Sequence, residues 1–165
     1  MDKHYYIVAQ LPMLFFDREP AMSSEAFLRE AEKWMSESEF DRLRRARYDS
    51  TDLTVQKPVL LKQYVEREHA FRRDLAQWRK AQREGQEFKP ETFSPALVKE
   101  GNPLEIERNL LLNRWKLIEE LEAGHHFDLE FLILYFFKLQ ILEKLALFNK
   151  EKGRQAFQTI SKVDL

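Results

Sequence analysis

Residues 131–142 read FLILYFFKLQIL. A membrane span needs roughly 20 apolar residues, and this run is about 12 long with Lys138 inside it. It is therefore the spine of a buried core helix. Helical spacing sets Phe131, Leu134, Ile141, Leu142, Leu145 and Phe148 on one face, with Lys138 in the middle of that face. From Phe131 to Phe137 the helix is apolar all round, which predicts burial on several sides.

The rest of the composition agrees with a helical protein. The chain has 165 residues, 13 Phe and only 4 Gly, so bulky side chains pack between regular elements in place of a turn-rich β fold. Its 44% hydrophobic content is enough for a core, and the net charge of −1 gives no global basic excess for nucleic acid. With no Cys there are no disulfides, thiolate metal sites or Cys nucleophiles, a composition compatible with a reducing compartment. The opening MDKHYYIVAQLPML lacks the apolar core and cleavage site of a signal peptide.

The predicted fold is all-α: a helical bundle with a long N-terminal lobe and a C-terminal hairpin of two long helices plus a short one. Ser residues before EAFLREAEKWM, and Ser36 or Ser38 before EFDRLRRARYD, are N-cap candidates. Pro58 suits the start of a long helix running to about Glu84, whose apolar stripe is thin. Residues 84–103 carry three Pro and two Gly. Residues 89–103 thus read as a linker between lobes 1–88 and 104–165. Gly124 and Gly153 read as helix stops, which leaves RQAFQTISKV as the short last helix.

Charge is unevenly spread. Residues 17–39 hold seven acids and three bases, and residues 41–89 hold thirteen bases and eight acids. The RLRRAR cluster, with Arg42, Arg44, Arg45 and Arg47, is either a solvated helix face or a contact for an acidic partner. Tyr5 and Tyr6, with Phe15 or Phe16, either pack on the body or dock a neighbour. Phosphate-loop, nucleophile-elbow, HExxH and EF-hand patterns are absent, as is an isolated carboxylate pair. His125 and His126 are adjacent, so they cannot both face one metal from a single helix. No catalytic residue, cofactor site or metal site is expected.

Three charged residues, Lys138, Arg114 and Glu107, fall in apolar stripes. Lys138 lies in the stripe of the last long helix, and Arg114 and Glu107 share one on the preceding helix. A buried ammonium is costly unless paired. Lys138 therefore either pairs with a carboxylate on the preceding helix, Glu107 with Arg114 nearby, or extends its head to solvent along an apolar stem.

Three segments carry a family resemblance: YYIVAQLPML, the block GNPLEIERNLLLNRWKLIEELEAGHHFDLEFLILYFFKLQILEK and the closing KEKGRQAFQTI. Together they resemble an uncharacterised bacterial family encoded in V-type ATPase operons, in the slot of the central-stalk component known as C in bacteria and d in eukaryotes. The closing helices also look like those of that stalk component itself. The chain is much shorter than that three-lobed funnel, so the resemblance implies that it presents only part of it. It further implies a cytoplasmic, non-catalytic role, peripheral at the inner membrane through the ATPase, with the central shaft and rotor ring as partners and no direct membrane insertion. The alternative is a free-standing helical module that holds a protein or nucleic acid on its basic helix face.

Overall fold

The computed structural model describes residues 4–99 and 101–163, with side chains through Ser161. Among the described residues there are seven helices and no strand. In chain order they are α1 (Tyr5–Gln10), α2 (Ser24–Trp34), α3 (Glu37–Arg45), α4 (Val59–Glu84), α5 (Ala96–Lys99), α6 (Pro103–Glu122) and α7 (Leu129–Val163). The fold is all-α, and no described helix is long and apolar enough to cross a membrane.

Local chemistry sets most boundaries. The Ser23 hydroxyl accepts from the amide of Ala26 and Ser36 accepts from that of Glu39, each satisfying an orphan donor in a first turn. Asn102 and Glu105 form a reciprocal capping box at α6, with Pro103 at the first helical position. Pro58 precedes α4. Gly85 closes that helix in the left-handed region, at φ 66°, while the Gln86 amide returns to the Ala81 carbonyl over 2.8 Å.

Gly153 does not stop a helix. α7 runs unbroken for 35 residues, so the expected short final helix is the last part of α7. A glycine ends a helix when a left-handed turn satisfies the last carbonyls. Here the flanking residues propagate the helix instead. Arg154 pairs with Glu151 at 2.6 Å, Gln155 also donates to Glu151, and the Thr159 hydroxyl returns to the Gln155 carbonyl.

The 131–142 stretch lies at the centre. Leu132 through Phe137, Leu139, Ile141, Leu142 and Leu145 are all buried, in one cluster with Ile7 of α1, Phe27 and Ala31 of α2, Leu43 of α3, Tyr64 of α4 and Trp115 of α6. A second cluster joins Phe71, Leu75 and Trp78 of α4 to Phe93, Val98 and Leu110. The division expected at residues 89–103 therefore does not separate two cores, because each cluster draws on both sides of it. Phe93 and Val98 are themselves buried, and the Phe93 ring meets Phe71 edge-on at 5.6 Å. Asp74 clasps the segment to α4: its Oδ2 accepts from the amides of Glu91 and Thr92, both at 2.9 Å, and from the Thr92 hydroxyl at 2.7 Å.

Polar residues within and just after the central stretch staple it to the N-terminal elements. The Tyr135 hydroxyl donates to the Pro12 carbonyl at 2.6 Å. Gln140 donates to the Ala46 carbonyl and accepts from the Tyr48 amide, at 2.9 and 3.1 Å. Glu143 accepts from the Ser24 amide and hydroxyl at 2.8 and 2.9 Å, which sets a carboxylate against the positive end of α2.

Candidate functional site

The most buried charge in the described molecule is Glu68 on α4, with 1% exposure. It lies in register with Tyr64, Phe71 and Leu75, on the apolar side of its helix. Arg114 of α6 reaches it with Nη2 at 2.8 Å and Nε at 3.1 Å, and Arg72 adds a contact at 2.8 Å. The Arg114 guanidinium also faces the rings of Tyr48, at 5.6 Å, and Phe71, at 5.8 Å. Burial alone would lower the pKa of Arg114, but the hydrogen bonds and charge of Glu68 outweigh it and raise the value above the ordinary one. Nearby, Tyr64 is buried and donates to the Tyr48 carbonyl at 2.7 Å, and burial pushes its hydroxyl well above the usual range. The cluster rivets α4 to α6 where the two cores meet. It presents saturated ion pairs and neutral phenols, an arrangement suited to rigidity.

Lys138 does pair with a carboxylate on the first helix of the hairpin, but its partner is Glu122, at 2.7 Å, and not Glu107. Side chains lean toward the N-terminus of their own helix. Across a hairpin this brings Lys138 toward the turn and Glu122 away from it, so the two converge. Glu107 lies fifteen residues earlier, about 22 Å along α6. It is exposed, on a surface cleft that Arg72 and Arg79 also line. The Lys138 ammonium further sits 5.0 Å from the Trp115 ring centroid. Arg114 thus belongs to the Glu68 cluster and Lys138 to a separate pair.

The basic cluster is largely neutralised locally. Arg44 and Arg45 both contact Asp41, at 2.6 and 3.2 Å, and Arg47 lies 3.7 Å from Asp49. Arg42 has no ion-pair partner among the described residues. With Arg45, Arg47 and Lys57 it borders a cleft of about 300 Å³ floored by Ala46, Leu61 and Val65. Asp52, on the rim of the same cleft, is occupied by the amide and hydroxyl of Thr54.

Tyr5 and Tyr6 remain half exposed while packing on other rings. Tyr6 stacks on Trp34 at 5.8 Å and Tyr5 meets Phe127 at 5.0 Å, which leaves an aromatic patch at one end of the bundle. Phe15 is exposed, with Arg18 over its ring, whereas Phe16 packs edge-on against Trp115.

Among the described residues, one group could offer metal ligands. His125, Asp128 and Glu130 bring ligand atoms within 4.8 Å of one another. The Asp128 carboxylate is already engaged, by His125 Nδ1 at 2.7 Å and by the Phe131 amide at 2.9 Å, where it caps α7.

Comparison with known proteins falls on the C-terminal part of this architecture. Residues 91–163 match a family described as "Protein of unknown function (DUF2764)". The match begins in the loop that Asp74 clasps and includes the whole of α5, α6 and α7. No curated protein and no solved structure matches the chain.

Proposed function

We propose that the chain is a non-catalytic accessory or central-stalk component of a V-type ATPase, similar to part of the stalk funnel and placed between shaft and rotor ring. The observation that carries this reading is the resemblance over residues 101–160, which falls on α6 and α7. Its supports are physical. Torque transfer requires a stiff body, and α7 is stapled by Tyr135, Glu143, Gln140 and Lys138 to the segment after α1, to α2, to the segment after α3 and to α6. The Glu68 cluster is internally saturated, as suits a mechanical part. In this role the chain works in the cytoplasm, without a cofactor, and reaches the membrane surface only through its partners.

Co-expression of the tagged chain with the ATPase subunits of its own organism, followed by size exclusion in physiological salt, tests the proposal. Stoichiometric co-elution with the shaft or ring is expected. Full assembly of the ATPase with this chain eluting apart would sink it.

A second reading rests on Arg42 and the basic cleft beside it, which would hold a polyanionic partner. Backbone-phosphate binding falls steeply with salt. A salt-independent interaction would remove this alternative.

A further inference from the structure

Local pairing leaves two cations beside the basic cleft unmatched. Arg44 and Arg45 share Asp41, and Arg47 lies near Asp49. Arg42 and Lys57, both exposed, have no ion-pair partner among the described residues. Asp52, the one acid lining the cleft, holds its carboxylate on the amide and hydroxyl of Thr54. The first turn of α4, which begins beside Lys57, has no acid either. The neighbourhood thus has five bases, Arg42, Arg44, Arg45, Arg47 and Lys57, against three acids, Asp41, Asp49 and Asp52. Its floor is apolar: Ala46 and Val65 are buried and Leu61 partly so, within a cleft of about 300 Å³. Leu53 in the same loop and Val59 at the start of α4 are exposed at 50% and 63%.

We infer that this cleft binds an acidic peptide segment of a partner protein, with an aliphatic side chain seated on Ala46, Leu61 and Val65 and its neighbouring carboxylates held by Arg42 and Lys57. This deepens the polyanion-binding reading of the cleft and rests on it, while it stands apart from the ATPase assignment. Charge complementarity sets the sign of the partner. Water solvates an exposed cation well enough, but two of them beside one apolar floor repel a cationic ligand and favour an anionic one. The lining sets the kind of anion. A guanidinium has five donors in a fork that fits a carboxylate, so Arg45 and Arg47 can each add a contact to the one already made. The aliphatic floor takes a Leu or Ile side chain, and a short acidic motif with an apolar anchor supplies both features. Nucleic acid fits less well. No aromatic ring lines the cleft for a base to stack on. The adjoining stretch 17–39, with seven acids against three bases, repels a polyanion longer than the cleft.

The test is fluorescence anisotropy of the full chain with a labelled peptide in which pairs of Glu flank single Leu residues, at physiological salt. Saturable binding with a Kd below about 1 mM is expected. Replacing Glu by Gln in the peptide, or Leu by Ser, should each weaken it at least about fivefold. Because these changes are made in the peptide, they leave the fold of the chain untouched. Arg42→Glu and Lys57→Glu together should weaken binding at least about tenfold, with helicity by circular dichroism unchanged. A peptide that fails to bind overturns the proposal, as does a Glu–Ser peptide that binds as well as the Glu–Leu one. Binding unmoved by the double substitution overturns it too. If a single-stranded oligonucleotide binds where the peptide fails, the cleft is a polyanion site and only the peptide assignment falls. If neither binds, the polyanion reading falls with it. A dimer that Arg42→Glu dissociates would give the cleft to a second copy and overturn the proposal as well.

Discussion

α7 is one helix with two lives. Between Phe131 and Leu145 nearly every side is packed, whereas from Asn149 onward almost none is, and the backbone continues without a break. The first part is helical because burial makes it so. The second depends on propensity, on local pairs such as Glu151–Arg154 and on growth from a helix already nucleated, since an isolated helix of this length is marginal in water. Continuity of secondary structure therefore says nothing about uniformity of stability.

Matched substitutions on the two halves sharpen that contrast. Phe137 is fully buried and Phe157 is 70% exposed on the same helix. Phe137→Ala should cost about 3–5 kcal/mol in denaturant unfolding, and Phe157→Ala at most about 0.5 kcal/mol when measured on the monomer. Equal costs would erase the distinction.

The proximal half should also bear an alkaline liability. Burial pushes the Tyr135 hydroxyl from 10.0 to about 12, so its neutral form is favoured in the fold. That contribution is fully present below the unfolded value of 10.0 and is lost as pH rises through the folded one. Stability should fall by about 2 kcal/mol between those limits on account of this group, and by less in Tyr135→Phe. Tyr64 shifts in the same direction, so some of the alkaline loss should persist in that variant. A stability curve that stays flat through this range in the wild type would contradict the assignment.

Carboxylates give a smaller version of the comparison. Glu143→Ala strips two partly buried donors of Ser24 of their acceptor and should cost about 1–3 kcal/mol. Glu151→Ala removes only exposed contacts, and its melting temperature should match that of the wild type. Smallest of all, Gly153→Ala should slow amide exchange in the distal segment by a factor equivalent to about 1 kcal/mol, with no change in global unfolding.

Much of the proximal half is legible from residues 131–142 alone, because a run apolar on every side has no alternative to burial. The cap at Ser36 and the start of α4 after Pro58 are written in residue types whose conformational preferences are local. The departures from expectation depend on neighbours, along the same helix for Gly153 and across the fold for the others. Gly153 looks like a stop until its neighbours are seen to sustain the helix. Residues 89–103 have the composition of a linker, yet Phe93 and Val98 are apolar anchors in a segment that a carboxylate, Asp74, holds in place. Lys138 stands out as a charge in an apolar stripe, but the lean of side chains across the hairpin selects Glu122. The same rule applied to α4 finds Glu68, which falls in register with Tyr64, Phe71 and Leu75. It escapes notice because the surrounding VEREHAFRRD is so charged that one more acid carries no contrast.

The stapling of α2 by Glu143 has a temporal consequence. Ser24 and Glu143 are separated by 119 residues. At about 5–20 residues per second, roughly ten seconds pass during synthesis between the appearance of α2 and that of the helix it caps against. For that interval Ile7, Phe27 and Leu43 have no α7 to pack on, so the core of the nascent N-terminal third stays incomplete until the last quarter of the chain arrives.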